Sequence, residues 1–410
     1  MVSKAQLEDF FEENLPAYLE MLAQMVAVNS FTTNAEGVKA LGQLTAGMFA
    51  PLGFSAEFVE AVNPNYGTHL VLSRTGEGAE RPTIGLVSHL DTVFPAEEEE
   101  RNDFSWRVEG DRIYGPGTVD IKGGTVLIYM IMAAMQQFAP AVYEGINWQI
   151  LLNAAEEELT PDFSQLCYRS LPDDTLACLV FEGGYWIENH FYLVRARKGR
   201  ATYEITVEGR GAHAGSSHPR GANAIVQMAR VIDQVASLTN YEEQITFNVG
   251  VVNGGTVMNR VPHLAQAVGE MRAFDKAVFD EGVAALLAIQ DGVTVKSAED
   301  GFGCKIGISV TNESAPWNRN EGTDMLYELW EKTAASLGWQ TIPEERGGLS
   351  DGNYLWERYP TLDGLGPSGE NAHCSERSED GTKDQEFVMA DSFVPKAVLN
   401  TMAILGLVER

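Results

Sequence analysis

The stretch VSHLDTVFP places His89 and Asp91 two residues apart, directly after the apolar run 84–86. Residues i and i+2 of a strand point to the same face, so these two side chains can meet. A histidine that binds a metal usually donates its second ring N–H to a carboxylate. The pair therefore suits a metal ligand, His89, with a supporting carboxylate, Asp91. It equally suits a polar His–Asp cap on a strand end.

Further acids follow apolar runs or glycine-rich turns. Asp120 lies in YGPGTVDIKGG, Glu156 and Glu157 lie in LLNAAEEEL, and Glu182 lies in LVFEGG. Each acid alone can be read as a helix cap or as an exposed surface carboxylate. Beside a metal, two adjacent glutamates offer two roles, because one can bind the ion while the other takes a proton from water.

A second imidazole, His373, stands in the polar loop GENAHCSERSE. Ligand sites of open α/β sheets lie beyond the carboxyl ends of the strands, so these distant pieces of sequence can converge there. Two imidazoles and several carboxylates form a mixed nitrogen and oxygen set. Such a set suits Zn, Mn or Co and is large enough for two ions.

Periodicity predicts the elements that must hold these residues. Helices are expected at 5–27, 34–50 and 122–138, and buried strands at 83–88, 147–154 and 176–182. A helix between two such strands is typical of a βαβ unit in a sheet covered by helices. The acidic run AEEEE at 96–100 is interpreted as a solvated loop.

A different pattern begins near Arg197, where RATYEITVEGR alternates like a half-exposed strand. A helix at about 221–238 and strands near 244–252, 264–273 and 303–311 follow. The order strand, helix, strand, strand, helix, strand predicts a small α+β, ferredoxin-like domain with an antiparallel sheet. Beyond about residue 313 the first pattern returns, with a helix at 321–337, a strand near 340–345 and a helix at 391–407.

The chain of 410 residues is too long for one ordinary core. We predict an α/β, mixed-sheet domain formed by 1–197 and 314–410, into which the α+β domain 198–313 is inserted. The net charge of −29 repels phosphate backbones and anionic lipid, which argues against nucleic acid and membrane surfaces as partners. The acidic N-terminal stretch has no signal-peptide pattern, and the four cysteines show no CxxC spacing, so a cytoplasmic protein is expected.

The chain resembles the M20 metallopeptidase family, the group of glutamate carboxypeptidase, aminoacylase and succinyl-diaminopimelate desuccinylase. The resemblance covers 5–410 and rests on SHLDTV, GPGTVDIKGG, AAEEEL, FEGG, GRGAHAGSSHPRGANAI, GGTVMNRVP, GGLSDGN and GENAHCSE taken together. It implies two divalent metal ions, with Zn expected first and Mn or Co as alternatives. It also implies that the inserted domain is a lid through which two copies form a homodimer.

The resemblance assigns roles to the acids and imidazoles. His89 and Glu182 would hold one ion, Glu157 and His373 the other, and Asp120 would bind both. Asp91 would orient His89, and Glu156 would be the general base. The third acid, Glu158, leaves a shift of this register by one residue open. A cis peptide bond is also implied after Asp120.

The same resemblance proposes substrate-facing residues in and near the lid. His213 in GAHAG would stabilise the oxyanion in the partner subunit's site. Asn259 and Arg272 match substrate-binding positions, and Gly348 and Ser350 in GGLSDGN would shape the pocket wall. A salt bridge to Glu270 or Asp275 is the alternative for Arg272.

The expected function is metal-dependent hydrolysis, with a metal-activated water, of the amide bond of a small carboxylate-bearing substrate, a peptide or an N-acyl amino acid. The alternative is hydrolysis of a non-peptide C–N bond such as that of an aromatic amine, since Tyr185 and Trp186 follow Glu182. Two rivals are a serine hydrolase, because GLSDG fits G-x-S-x-G around Ser350, and a binding protein without catalysis.

Overall fold

The fold is taken from a computed structural model, which describes residues 2–76, 81–158 and 161–409, apart from the side chain of residue 161. The helices are, in chain order, α1 (Lys4–Val26), α2 (Ala35–Phe49), α3 (Ala96–Arg101), α4 (Gly123–Phe138), α5 (Pro140–Gly145), α6 (Pro161–Ser170), α7 (Ala224–Ser237), α8 (Lys276–Ala288), α9 (Glu321–Ser336), α10 (Gly352–Leu355) and α11 (Phe393–Val408). The strands are β1 (Ser55–Glu60), β2 (Thr68–Arg74), β3 (Thr83–His89), β4 (Arg107–Glu109), β5 (Arg112–Tyr114), β6 (Asn147–Asn153), β7 (Ala177–Val180), β8 (Trp186–Ile187), β9 (His190–Arg197), β10 (Gly199–Glu208), β11 (Ala212–His213), β12 (Thr246–Gly254), β13 (Arg260–Val261), β14 (Leu264–Ala273), β15 (Lys305–Ser314), β16 (Gln340–Arg346), β17 (Thr361–Leu362), β18 (Gly369–Glu370) and β19 (Phe387–Met389).

The chain divides into two compact units. Unit 1 consists of Met1–Arg195, Arg319–Glu345 and Ser350–Arg410, and unit 2 consists of Ala196–Asn318 and Arg346–Leu349. Each unit has its own hydrophobic core. Unit 2 thus interrupts the sequence of unit 1.

Unit 1 is built on a mixed sheet with the strand order β1-β2-β6-β3-β7-β17. The central pairs β3–β6, β3–β7 and β7–β17 are parallel, whereas β1–β2 and β2–β6 are antiparallel. Every residue of β3 is buried, which is typical of a central parallel strand that is covered on both faces. The buried strands expected from the apolar runs are confirmed as β3, β6 and β7.

The most apolar helices of unit 1 belong to its core. The segments Thr118–Phe138 and Ala390–Val408 are long and apolar enough to cross a membrane, but 83% and 61% of their apolar windows are buried inside the fold. They pack on each other, and α1 packs on α4 and on α11. Burial against other helices accounts for their apolar character without a bilayer.

Unit 2 is a ferredoxin-like α+β fold, as the sequence predicts. Its sheet has the order β12-β14-β10-β15 with antiparallel pairing throughout, and α7 and α8 connect the strands. Along β10 the buried residues Ala201, Tyr203, Ile205 and Val207 alternate with more exposed ones. This period of two places one face of the sheet against the helices.

The interpretation of 96–100 as a solvated loop is wrong, because these residues form α3. The helix contacts the loop that follows His373: the Ser375 hydroxyl donates to Glu98, and the Asn102 side chain donates to Ser375 Oγ at 2.7 Å. These partners lie more than 270 residues away in sequence. A local charge pattern therefore gave no sign of them.

Candidate metal centre

Four of the candidate residues reach one edge of the unit 1 sheet because their strands are parallel. His89 is the last residue of β3, and Glu156 and Glu157 lie in the turn that follows β6. Glu182 follows β7 by two residues. Because β6, β3 and β7 are parallel neighbours, their carboxyl ends lie side by side, where ligand sites of such sheets occur.

The structure gathers two groups of side chains that share one member. The first group is His89, Asp120 and Glu182, and the second is Asp120, Glu157 and His373. Within each group, the candidate ligand atoms lie within 4.8 Å of one another. The sequence named all five residues, and the fold brings all five together.

Asp120 connects the two groups through its two carboxylate oxygens. Its Oδ1 lies 3.0 Å from Nε2 of His89, and its Oδ2 lies 3.2 Å from Nε2 of His373. Nε2 of His373 also lies 3.1 Å from Glu157, and Nε2 of His89 lies 3.8 Å from Glu182. Each imidazole therefore presents the same nitrogen to the shared carboxylate. The peptide bond between Asp120 and Ile121 is cis, as the resemblance implies.

The buried His89 ring is held by Asp91 in two ways. Nδ1 of His89 lies 3.0 Å from the backbone carbonyl oxygen of Asp91 and 3.4 Å from its carboxylate. The shorter contact sets the proton on Nδ1 and leaves Nε2 free to act as a ligand atom. The sequence pointed to the carboxylate alone, whereas the structure gives the closer contact to the backbone oxygen.

The Asp91 carboxylate mainly supports the turn that carries the paired glutamates. It accepts hydrogen bonds from the backbone N–H of Glu156 at 3.0 Å and of Glu157 at 3.3 Å. It also accepts from the hydroxyl of Thr32 at 2.7 Å. One buried side chain thus fixes both His89 and the backbone of the two glutamates.

The three consecutive glutamates have different surroundings. Glu156 is buried, and this burial raises its pKa well above the usual carboxyl value. Glu157 contacts His373, and its Oε1 is buried with no hydrogen-bond partner among the described residues. Glu158 is exposed. The structure therefore places Glu157, rather than Glu158, in the second group.

His373 enters the centre from a loop of unit 1. Its side chain is 53% exposed, and its backbone φ is +67°. Hydrogen bonds to Asp120 and Glu157 raise its pKa to about 11. Such a shift marks a concentration of negative charge, which favours a cation at this position.

The candidate substrate residues in unit 2 lie at the two-stranded sheet β11-β13 and in the four-stranded sheet β12-β14-β10-β15. His213 ends β11 and pairs with Arg260 of β13, Asn259 directly precedes β13, and the Ala214 N–H donates to the Asn259 carbonyl at 3.0 Å. Nδ1 of His213 accepts from the N–H groups of Gly215 and Ser216, both at 3.1 Å. An accepting Nδ1 places the proton on Nε2, which makes that atom a hydrogen-bond donor.

Arg272 is bound by an acid on its own strand. Its Nε and Nη2 donate to Glu270 at 2.9 and 3.1 Å, and its Nη1 donates to the Gly347 carbonyl at 2.8 Å. This is the salt bridge that the sequence left open as the alternative. Nearby in sequence, the Gly348 carbonyl accepts from Arg197 at 3.1 Å.

Ser350 is fully buried in unit 1 and is occupied by structural hydrogen bonds. Its Oγ donates to Asp363 at 2.9 Å and accepts from the Gly352 N–H at 3.1 Å. No histidine bonds to this hydroxyl within the described part of the chain. The arrangement does not form the Ser–His pair that a serine hydrolase requires.

Sequence reasoning missed two residues that support the centre. Thr32 follows α1 and binds Asp91, and Glu386 precedes β19 and binds the backbone of Val119 and Asp120. Thr32 carried no local signal. The signal for Glu386 was a charged residue directly before the apolar strand FVM, thirteen positions after His373.

Comparison with known proteins supports the resemblance to M20 metallopeptidases. Residues 195–293 match the model of the M20 peptidase dimerisation domain. Carboxypeptidase G2 of Pseudomonas sp. (strain RS-16) is 25% identical over 369 residues, which cover 89% of this chain and 84% of that protein. Over most of its length the chain is similar to M20 metallopeptidases. It is a hydrolase, and metal-dependent amide hydrolysis is its class of activity.

Two further proteins extend the similarity. Acetylornithine deacetylase of Pectobacterium carotovorum is 29% identical over 265 residues, which cover 60% of this chain and 65% of that protein. The crystal structure of aminopeptidase PepT from Bacillus cereus superposes with a TM-score of 0.75 at 19% identity, covering 96% of this chain and 99% of that one. At this identity the superposition shows a common fold.

Similarity to M20 metallopeptidases implies divalent metal ions, and the residues of this chain fit them. Each group offers one imidazole nitrogen and two carboxylates, a set that suits borderline and hard divalent cations. Oε1 of Glu157, which is buried and has no hydrogen-bond partner in the described part of the chain, is a ligand atom that a cation would satisfy. The serine-hydrolase interpretation is wrong, since the similarity to M20 metallopeptidases and the buried, hydrogen-bonded Ser350 both contradict it.

Proposed function

We propose that this protein hydrolyses the amide bond of a small carboxylate-bearing substrate, a peptide or an N-acyl amino acid, with two bound divalent cations. The observation that carries the proposal is the sharing of Asp120, whose two oxygens face His89 and His373 separately. A carboxylate placed in this way can bind two cations at once. Zn²⁺ is the proposed ion, with Mn²⁺ or Co²⁺ as substitutes.

In this proposal His89, Glu182 and Asp120 would hold one cation, and Asp120, Glu157 and His373 would hold the other. The bound cations would supply Lewis acidity and lower the pKa of water at the site. In the neutral ring of His89, the contact of Nδ1 with the Asp91 backbone carbonyl places the proton on Nδ1, so Nε2 can bind a cation, and the Asp91 carboxylate fixes the backbone of the paired glutamates. The carboxylates of Glu156 and Glu157 are thereby positioned before substrate binds.

Glu156 is the proposed general base and acid. It is buried beside the two groups, and the carboxylates of Glu182, Asp351 and Glu157 add to burial in raising its pKa. A carboxyl group with a raised pKa accepts a proton from the attacking water more readily and can return it to the leaving nitrogen. The amide C–N bond breaks as this nitrogen takes the proton.

His213 is the proposed oxyanion donor, and it would act on the partner subunit's site in a homodimer. Its Nε2 carries a proton, because its Nδ1 accepts from Gly215 and Ser216. A preorganised donor of this kind stabilises the negative charge that develops on the carbonyl oxygen. The match of 195–293 to a dimerisation domain supports the dimer, and Val251, Val252 and Met258 of unit 2 are more than half exposed.

Arg272 is the proposed contact for the substrate carboxylate, with Asn259 beside His213 and with Gly348 and Ser350 near the pocket wall. Its guanidinium is bound to Glu270, which holds the planar group in a fixed orientation. The remaining N–H bonds of a guanidinium can still bind a carboxylate.

We place the protein in the cytoplasm, since its cysteines are free thiols.

The experiment is a substrate panel of dipeptides, N-acyl amino acids and aryl amines, run with metal analysis before and after chelation. We expect about two ions per chain and amide turnover that chelation abolishes. Glu156→Gln should lower kcat about 10²- to 10⁴-fold while the metal stays bound. Glu158→Gln is the matched control, because Glu158 is exposed, and it should behave like the wild type.

The same panel tests whether the protein recognises the carboxylate of the substrate. Each amide is offered as the free acid and as its carboxamide, and Arg272→Lys should raise KM for the acid while leaving the carboxamide unchanged. A protein with no bound metal, or with turnover that chelation does not affect, would contradict the proposed site. Equal KM for acid and carboxamide would contradict the proposed substrate class alone.

A second function is favoured by one observation. The Tyr185 side chain, three residues after Glu182, is 38% exposed, and its ring packs edge-on against Tyr192. An exposed aromatic ring in this position would suit an aromatic amine as substrate. Turnover of aryl amines without turnover of amides in the panel would favour this function over the first.

A further inference from the structure

Glu386 joins the two loops that bring Asp120 and His373 to the centre. It is completely buried, and it lies directly before β19. Its Oε1 accepts hydrogen bonds from the backbone N–H of Val119 at 3.0 Å and of Asp120 at 3.2 Å. Its own backbone N–H donates to the carbonyl of Cys374 at 2.8 Å, next to His373.

The side chain and the main chain of Glu386 therefore act on different loops. The carboxylate oxygen occupies two consecutive N–H groups at the point where the chain turns to present Asp120. The backbone bond fixes the residue after His373. Asp120 and His373 face each other across 3.2 Å. A displacement of the Asp120 loop would change both metal-binding groups, and a displacement of the His373 loop would change the second group.

We propose that Glu386 is a positioning residue for the metal centre, which holds Asp120 and His373 in register through hydrogen bonds to their loops. It contributes no ligand atom to either group. The inference rests on the proposed function, because it assumes that the two groups bind cations. Residues that orient metal ligands in this way change metal affinity by about 10- to 100-fold when they are lost.

Two substitutions distinguish the effect of the length of the Glu386 side chain from the effect of its charge. Glu386→Asp keeps the charge but shortens the side chain by one methylene group, so that the carboxylate oxygen no longer reaches the N–H groups of Val119 and Asp120. Glu386→Gln keeps the reach and an accepting oxygen but removes the charge. Positioning by hydrogen bonds predicts that the Asp variant is the more defective one.

Unit 2 contains a matched control. Gln227 is also completely buried, and its Oε1 accepts from two consecutive backbone N–H groups, those of Thr294 at 2.9 Å and Val295 at 2.8 Å. Gln227→Asn withdraws that oxygen by the same methylene group. It reproduces the local damage of Glu386→Asp without involving a residue of the metal centre.

The measurement is the affinity of the metal-stripped protein for Zn²⁺, obtained by competition with a chromogenic chelator, together with Tm for each variant. We expect Glu386→Asp to weaken Zn²⁺ binding at least about tenfold and Glu386→Gln to stay within about threefold of wild type. Gln227→Asn should lower Tm and leave the Zn²⁺ affinity unchanged. The folded state of each variant is confirmed by its Tm before metal is added.

Two results would overturn the inference. Unchanged Zn²⁺ affinity in Glu386→Asp, with a loss of Tm like that of Gln227→Asn, would mean that Glu386 serves stability alone. A larger defect in Glu386→Gln than in Glu386→Asp would assign its effect to charge. Failure of the proposed function looks different, because the wild type itself would then bind no Zn²⁺.

Discussion

Oδ1 of Asp91 lies 3.0 Å from the backbone nitrogen of Glu156, the residue proposed as the general base. The other oxygen, Oδ2, accepts from the N–H of Glu157 and from the hydroxyl of Thr32. Asp91 thus links the ring of His89 to the turn that supplies both the base and a metal ligand. Its effect on activity should therefore exceed that of an ordinary buried hydrogen bond.

Asp91→Asn tests this link. One oxygen becomes an NH₂ group, which cannot accept from the backbone of Glu157 or Glu156. We expect kcat to fall about 10- to 100-fold and Zn²⁺ affinity to fall with it. Thr32→Val is the control, because it removes only the hydroxyl bond and leaves both backbone bonds intact. Equal kcat values in the two variants would contradict the proposed role of Asp91.

The sharing of Asp120 predicts different metal contents for two single substitutions. Glu182 belongs to one group only, so Glu182→Ala should reduce the content from about two ions per chain to about one. Asp120 belongs to both groups, so Asp120→Ala should bring it close to zero. Elemental analysis of the purified, dialysed variants measures this directly. Equal losses in the two variants would show that the groups do not fill independently.

The proposed action of His213 on the partner subunit can be tested by mixing inactive chains. His213→Ala and Glu156→Gln should each be nearly inactive, since removal of one oxyanion donor costs about 10²- to 10³-fold. Mixed dimers, formed by dissociation and reassociation, would contain one site with an intact Glu156 and an intact partner His213. Activity should return to about a quarter of the wild-type value, as random pairing in a two-fold dimer predicts. No recovery, with mixed dimers verified by mass, would place His213 in its own chain's site.

The buried His69 predicts a loss of stability at low pH. Burial lowers its pKa, and its Nδ1 accepts from the Ala154 N–H at 3.0 Å while its Nε2 faces Asp162 at 3.3 Å. Protonation would remove the acceptor that Ala154 needs. Because the folded pKa is lower than the unfolded value of about 6.5, the stabilisation is complete above that pH and is lost as the pH falls through the folded value.

Denaturant unfolding between pH 7.5 and pH 5 measures the effect. His69→Asn keeps an accepting oxygen but cannot take up a proton, so its free energy of unfolding should fall less steeply with pH than that of the wild type. His263→Asn is the matched control, because the side chain of His263 is exposed, and it should keep the wild-type slope. Identical slopes for the wild type and His69→Asn would contradict this prediction.

The sequence by itself determined the sheet edge and the residues that gather there. The apolar runs predicted β3, β6 and β7, and residues that follow parallel strands must share an edge, so His89, Glu157 and Glu182 could be placed together. The alternation that begins at Arg197 likewise predicted the ferredoxin-like unit. These features follow from period and order along the chain, which are local properties.

Tertiary structure alone decided the contacts between distant loops. Glu386 binds the backbone of Val119 across 267 residues, and α3 binds the loop after His373 across a similar separation. The tertiary structure also decided which glutamate approaches His373, since Glu157 contacts it while Glu158 is exposed. It likewise decided the salt bridge between Arg272 and Glu270. A backbone N–H or a salt-bridge partner leaves no periodic trace in the sequence, because such bonds depend on where the folded chain happens to pass rather than on its neighbours along the chain.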